Sequence, residues 1–355
     1  MTYRAGIVGT GGVAGMGIYD GSADDVGTDP VDASHAGGYA AVDDVELAAV
    51  ADVDPDALER FGRAWEIPEE HRYLGHEAML EAEDLDIVSV CTPSMLHREH
   101  VEDAARIGDP AVVWCEKPVA CSVSDAESMV ETCEAADVEL LVNHSQRFLR
   151  QNRAVKAAVD DGLIGEVRSI TCGSPMELLR VGTHVVDLAL YLADARAETV
   201  AGHVTGANQV ADDLADSDVD DAATGGFAVL EGGAFLTYDG TARRDEATFH
   251  HRINGSDGRL VSAEDGWRYW EATDDGHVER EPPTEGFEDD HERSFVNAVA
   301  HAVQLIEGEA ENRSPGREAR HTLEVLVGFV ASDSTGGRVS VPFDRPMKDV
   351  TVTSW

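Results

Sequence analysis

Lys117 stands in Cys115-Glu116-Lys117-Pro118, where an apolar run that reads as a strand comes to its end. Ligands bind at the carboxyl ends of strands in open α/β sheets. The chain has 27 basic residues, and only Lys117, Lys156 and Lys348 are lysine, leaving 24 arginines (27 − 3). An ammonium kept at such a position suits hydrogen bonding and charge stabilisation at a reacting oxygen, which makes Lys117 the foremost catalytic candidate. His184 and Asp187 lie three apart at the start of an apolar helical run, in Arg180-Val181-Gly182-Thr183-His184-Val185-Val186-Asp187. That spacing puts both on one helix face, so Asp187 can orient or charge-tune His184 for proton transfer. The same pair also serves as a structural one in many helices. Near the N-terminus, Gly9-Thr10-Gly11-Gly12-Val13-Ala14 follows a strand and opens a helix. In such a GxGxxA turn Gly9 allows the tight bend, Gly11 lets the backbone approach a pyrophosphate, and Ala14 packs the helix on the strand. Asp52 ends the next strand, where an acid accepts hydrogen bonds from the adenosine ribose and repels a 2′-phosphate. No arginine follows it closely, so these residues favour NAD over NADP.

The elements that must hold these groups alternate in the first half. Strands are expected at Ala5–Val8, Val45–Ala51, Ile87–Cys91, Ala111–Cys115 and Val138–Val142, with helices at 55–65, 97–106 and 122–136 between them. Alternation of this kind predicts a doubly wound parallel sheet. About forty residues separate Gly11 from Asp52, twice the usual number. The excess is the acidic, glycine-rich Ile18–Ser34, which reads as a loop inserted after a short first helix. The second half is mostly strands, at Val167–Cys172, Thr199–Val204, Ala222–Val229, Gly233–Tyr238 and Thr248–Asn254. Helices are expected at 153–161, 184–192, 292–307 and 317–332, with a last strand at Arg338–Pro342. The domain boundary is placed at residue 147, giving domains 1–147 and 148–355.

Composition sets the outer limits. The 355 residues carry 69 acidic against 27 basic side chains, a formal net charge of −42. That excludes a nucleic-acid binder and argues against an anionic membrane surface. Acid enrichment with few lysines is the pattern of a halophile's protein, whose self-repulsion is screened within ~3 Å at 1 M salt. With no long apolar run, the expectation is a cytoplasmic protein. The five cysteines form no CxxC pair and read as free thiols. His97 and His100 form an HxxH without an evident third ligand, and the acidic segment 212–221 lacks the glycine and glutamate of a calcium loop, so no metal is expected.

Taken together, GIVGTGGVA, ADVDPDAL, CTPSMLHREHV, CEKPVA, VDDGLIGEVRSI, GTHVVDLALYL, NGSDGRL and SDSTGGRVSVP resemble the glucose–fructose oxidoreductase / inositol dehydrogenase / MocA (Gfo/Idh/MocA) family, in its order and over nearly the whole chain. The resemblance implies an N-terminal Rossmann domain and a C-terminal α/β domain with a large, mostly antiparallel open sheet that pairs subunits as a homodimer or homotetramer. It implies NAD(P)-dependent oxidation or reduction at a carbon of a sugar, sugar acid or cyclitol. Carried over by position, Thr92, Pro93 and His97 match the segment beside the nicotinamide ribose, and Glu116 and Lys117 match the EKP motif. His184 matches the acid/base histidine, and Asn143 and Arg147 match a junction loop that touches cofactor or substrate. One departure is Arg180, four residues before the histidine, where many members carry aspartate. An arginine cannot relay a proton. It can clamp a substrate carboxylate or phosphate, or pair with Glu177.

The reaction these residues suggest is hydride transfer from a carbinol carbon to NAD. His184 takes the hydroxyl proton, Lys117 stabilises the developing charge, and Asp187 holds the His184 ring. The alternatives are an NAD-dependent glycosidase and a non-catalytic sensor of NAD and sugar.

Overall fold

A computed structural model describes residues 2–17, 32–175, 177–205, 218–220, 223–242, 249–263, 265–282, 286, 293–345 and 347–353. The expected insertion Ile18–Ser34 lies outside the described residues except for 32–34. The chain forms two compact units. The first takes residues 1–120, 125–148 and 292–317, and the second takes 121–124, 149–291 and 318–355.

The first unit is built on six parallel strands: β1 (Tyr3–Val8), β2 (Val45–Ala51), β3 (Arg72–Tyr73), β4 (Ile87–Val90), β5 (Val112–Cys115) and β6 (Glu139–Val142). Their order is β3-β2-β1-β4-β5-β6. β4 (IVSV) and β5 (VVWC) are buried at every position. Such near-continuous apolar runs mark strands covered on both faces. The order reverses between β1 and β4, and an open sheet offers its crevice at that switch.

The helix expected to begin near Gly11 is one five-residue turn, Gly12–Met16. Helical structure returns at His35–Ala40, where the Ser34 hydroxyl caps the end by accepting from Gly37 N at 3.0 Å. His-Ala-Gly-Gly-Tyr-Ala has two glycines and no apolar stripe, so its pattern did not announce a helix. Its glycines have a packing reason. A Cβ on Gly38 would stand 3.0 Å from Val299 Cγ2 and 3.1 Å from Phe295 O, both on the helix Ser294–Ile306. That helix therefore completes the first unit's core, together with Trp114, Phe148 and Tyr39. A single boundary at 147 does not describe this return of the chain.

The second unit centres on nine strands: β7 (Val167–Pro175), β8 (Ala197–Val204), β10 (Thr224–Leu230), β11 (Phe235–Ala242), β12 (His250–Gly255), β13 (Gly258–Ala263), β14 (Gly266–Thr273), β15 (Gly276–Arg280) and β16 (Val339–Ser340). They run in the order β15-β14-β13-β12-β7-β11-β10-β8-β16, and every neighbouring pair is antiparallel except β7 with β11. β9 (Asp218–Asp220) and β17 (Thr351–Thr353) form a separate parallel pair. The twenty-residue helix Gly316–Thr335 lays Phe329 against Gly202 and Gly226 and stacks its ring 6.0 Å from that of Tyr238. No described helix is long and apolar enough to cross a membrane.

Two histidines inside this unit make it acid-sensitive. Burial pushes His251 and His321 down to about 4. His321 Nε2 accepts the Ala197 N–H at 3.0 Å, a bond that protonation abolishes. The unfolded chain takes up these protons near ~6.5, whereas the folded chain resists them until about pH 4. Stability is therefore lost as pH falls through that window, by at most about 3 kcal/mol per histidine. Urea unfolding between pH 7 and 4 should show this slope, and His321→Gln should flatten part of it. An equal slope in that variant refutes the assignment.

Candidate active site

Backbone hydrogen bonds at the carboxyl edge of the parallel sheet set the strand-end residues in one row. Gly9 N donates to Ala51 O at 2.8 Å, Cys91 N to Val8 O at 2.8 Å, Glu116 N to Val90 O at 2.9 Å, and Asn143 N to Cys115 O at 2.8 Å. Asp52, Gly9, Thr92, Glu116, Lys117 and Asn143 thus reach this edge from β2, β1, β4, β5 and β6.

Gly9 takes a φ of +90°, a conformation glycine adopts freely. Gly11 is extended, and a Cβ built on it meets no atom of the described residues within 4 Å. The open space over Gly11 is the cradle a pyrophosphate needs, so the turn fits a dinucleotide. Gly12 and Ala14 are buried and Val13 is partly so. The carboxylate of Asp52 closes the turn from the β2 side. Its Oδ2 accepts from Thr10 N and Thr10 Oγ1, both at 2.7 Å, and its Oδ1 accepts from Asp54 N at 2.9 Å. The acid is therefore fixed where the glycine turn meets the end of β2, and its negative charge stays beside the cradle.

Behind Lys117 lies a buried polar network. Glu116 Oε1 accepts from His35 Nε2 at 3.0 Å and from Asn143 Nδ2 at 2.5 Å, and its Oε2 accepts from Lys117 N at 3.2 Å. Burial alone raises a carboxyl pKa. Here the interactions with His35, the charge of Lys117 and the Asn143 bond outweigh it and hold Glu116 at about 2. Asn143 Oδ1 is buried and has no donor among the described residues. Lys117 itself is partly exposed, and its bond to Pro118 is cis.

His97 is a brace. It is buried, with Nε2 2.8 Å from Thr92 O and Nδ1 3.0 Å from Pro118 O. Burial depresses its pKa, and the contacts with Thr92, Pro118 and Val119 offset only part of that. Both ring nitrogens face protein carbonyls, and a neutral imidazole donates only one N–H, so the ring bonds either Thr92 O or the Pro118 turn and is directed toward the protein. Thr92 Oγ1 also lies 2.9 Å from His100 Nδ1. Arg147 is buried and donates to Arg313 O at 2.9 Å, which ties the 145–148 turn to the 292–317 segment. Pro93 precedes the turn Ser94–Leu96.

In the second unit, His184 and Asp187 lie on the helix Thr183–Ala193. Asp187 is fully buried and accepts from Thr322 Oγ1 at 3.1 Å, a partner that sequence spacing could not suggest. The His184 ring lies 5.8 Å from that of the exposed Phe249. Arg180 Nη1 stands 3.6 Å from Glu177, the pairing expected if it does not clamp a ligand. Among the described residues, His76, Glu99 and Asp103 bring possible metal-ligating atoms within 4.8 Å of one another. His76 Nε2 sits 3.0 Å from Asp103 Oδ2, so two of the three already face each other across a hydrogen bond. All five cysteines are buried, and none is in a disulfide.

Comparison with known proteins agrees with this layout. Residues 3–144 match the profile described as "Oxidoreductase family, NAD-binding Rossmann fold", and residues 165–341 match "Oxidoreductase family, C-terminal alpha/beta domain". The chain is 27% identical to inositol 2-dehydrogenase of Rhizobium meliloti, over 86% of this chain and 95% of that protein. It is 39% identical to D-apiose dehydrogenase of Paraburkholderia graminis over 132 residues, about a third (34%) of that protein's length. The crystal structure of aldose-aldose oxidoreductase from Caulobacter crescentus superposes with a TM-score of 0.75 at 22% identity, covering 96% of this chain and 100% of the other, and so shares the fold.

Proposed function

Because the chain belongs to the Gfo/Idh/MocA oxidoreductase family, with that family's NAD-binding Rossmann and C-terminal α/β domains, we propose that it oxidises a carbinol carbon of a sugar, sugar acid or cyclitol with NAD. One observation carries the reading: a buried Glu116, hydrogen-bonded to the Lys117 N–H, stands at the sheet edge that also bears the glycine cradle. The inositol and apiose dehydrogenases among its relatives support the substrate class.

NAD, when bound, supplies the hydride acceptor. The glycine turn and Asp52 hold it, and the fixed charge of Asp52 disfavours a 2′-phosphate. Lys117 donates a hydrogen bond to the substrate hydroxyl and stabilises the negative charge that grows on its oxygen. His184 removes the hydroxyl proton, and the buried carboxylate of Asp187 keeps the start of its helix anchored to Thr322. The same reading has the enzyme working in the cytoplasm of a halophile as a homo-oligomer.

The test is a panel of inositols, aldoses and sugar acids with NAD or NADP in molar salt, followed by NADH absorbance. The expected result is net NADH from at least one polyol and a clear preference for NAD. Consumption of a glycoside without net NADH refutes the dehydrogenase reading, and preference for NADP refutes the role given to Asp52.

A further inference from the structure

His35 is fully buried, 81 residues from Glu116 in sequence, and absent from every motif that sequence analysis brought forward. Its ring lies 3.8 Å from that of Trp114 and 5.5 Å from that of Phe295. Nδ1 is 2.9 Å from Ser89 Oγ, which is 2.6 Å from Tyr39 OH, and Nε2 is 3.0 Å from Glu116 Oε1. One assignment of protons satisfies the chain. Burial raises the Tyr39 pKa, so Tyr39 keeps its proton and donates to Ser89; Ser89 donates to His35 Nδ1, and His35 Nε2–H donates to Glu116. A buried carboxylate stays ionised only when enough donors face it. Glu116 has three: His35, Asn143 and the backbone N–H of Lys117.

We propose that His35 is a positioning residue: through the Tyr39–Ser89–His35 chain it keeps Glu116 ionised and fixed, and through Glu116 it holds the Lys117 turn in its working place. The claim deepens the reading above, since it rests on Lys117 touching the substrate. The titratable groups facing Glu116 are His35, His97, Lys117 and the thiols of Cys91 and Cys115. Burial pushes both thiols well above their usual range and His97 below its own, and the His97 nitrogens face backbone carbonyls, so none of these groups replaces the His35 N–H as a donor to Glu116.

The test compares His35→Phe, which keeps the stacked ring and loses the donor, with His35→Gln, which keeps a donor. The first readout needs no substrate: the infrared carboxyl signal of Glu116, isolated by difference against Glu116→Gln. It should stay ionised down to pH 4 in the native protein and in His35→Gln, and appear protonated by pH 5–6 in His35→Phe. The second readout is turnover with the polyol found in the panel. His35→Phe should lower kcat by about a hundredfold, the order of loss for a small misplacement of a catalytic group, with KM changed less than about threefold. His35→Gln should restore most of it, and His35→Phe should add nothing in a Glu116→Gln background. Ser89→Ala, a milder change, should raise the pH at which Glu116 protonates and reads the same point if His35→Phe does not fold. An unchanged Glu116 signal in His35→Phe or in Ser89→Ala, or additive losses in the double variant, overturns the proposal. If the native protein oxidises no polyol, the functional reading fails and the infrared comparison still decides the role of His35.

Discussion

Lys117→Met is expected to lower kcat by about 10³ while the dissociation constant for NAD changes less than about threefold. The methionine stem fills the same space, so the loss isolates the ammonium. Two effects add in that loss: a charge-assisted donor to the reacting oxygen, worth roughly 10²–10³, and help in moving the hydroxyl proton, worth roughly 10²–10⁴ for a positioned group. They act on one oxygen and are not multiplied together. The backbone N–H of Lys117 still donates to Glu116 in the variant, so the turn keeps that bond. Lys117→Arg should not rescue activity, because a planar, wider cation cannot occupy a point donor's place. Stopped-flow turnover with NAD titration by nucleotide fluorescence separates the two quantities. A kcat within tenfold of the native value removes Lys117 from the chemistry.

The sequence made Lys117 visible for a reason that does not extend to its supports. A chain that keeps three lysines advertises each of them, and the apolar run Ala-Val-Val-Trp-Cys fixes where the strand before it must end. The row Gly9, Asp52, Thr92, Glu116 and Asn143 was legible for the same reason: each follows a buried parallel strand, and parallel strands present their carboxyl ends along one edge. Glu116's partners were not legible. His35, Ser89 and Tyr39 come from β4 and the 35–40 helix, and nothing in local periodicity records which side chains a sheet crossover brings together. Asn143 donates its Nδ2–H to Glu116, a partner that its motif does not reveal. His97 sits where its motif put it but turns both nitrogens to carbonyls, a matter of rotamer and backbone path. In the second unit, β13, β14 and β15 escaped notice although Asp257-Gly258, Asp265-Gly266 and Asp275-Gly276 mark tight turns before them. β15 is exposed at all five positions, so no apolar face betrays it and backbone pairing alone makes it a strand. The apolar spacing of Ser294–Ile306 is enough to mark it as a helix. Its place in the first unit depends on the close approach allowed by Gly38, information held 260 residues away.

Gly11→Val and Gly9→Val should part company, and the contrast tests the cradle itself. Gly11 has φ −74° and ψ −165°, a backbone any residue adopts, and a Cβ there meets nothing among the described residues within 4 Å. The variant should therefore fold with stability within about 0.5 kcal/mol of the native protein, as substitutions that neither strain the backbone nor crowd the core generally do. Yet the branched side chain fills the space a pyrophosphate must enter, so NAD affinity should fall by at least about a hundredfold, the scale on which a blocked backbone approach acts. Gly9 is the opposite case. Its φ of +90° strains any residue with a Cβ, and that Cβ would stand 2.8 Å from Thr92 Cγ2 and 3.0 Å from the backbone of Cys91 and Thr92. The Cys91–Thr92 peptide bond cannot yield cheaply, so Gly9→Val should cost roughly 2–4 kcal/mol of folding stability before any ligand is added. Thermal unfolding in molar salt, with and without NAD, reads both effects. The native protein should gain melting temperature on adding NAD, Gly11→Val should melt with the native apo-protein and gain nothing, and Gly9→Val should melt lower from the start. A Gly11→Val protein that is still stabilised by NAD to the native extent means that the pyrophosphate does not pass over this turn, and the cofactor's place on the sheet edge has to be sought elsewhere.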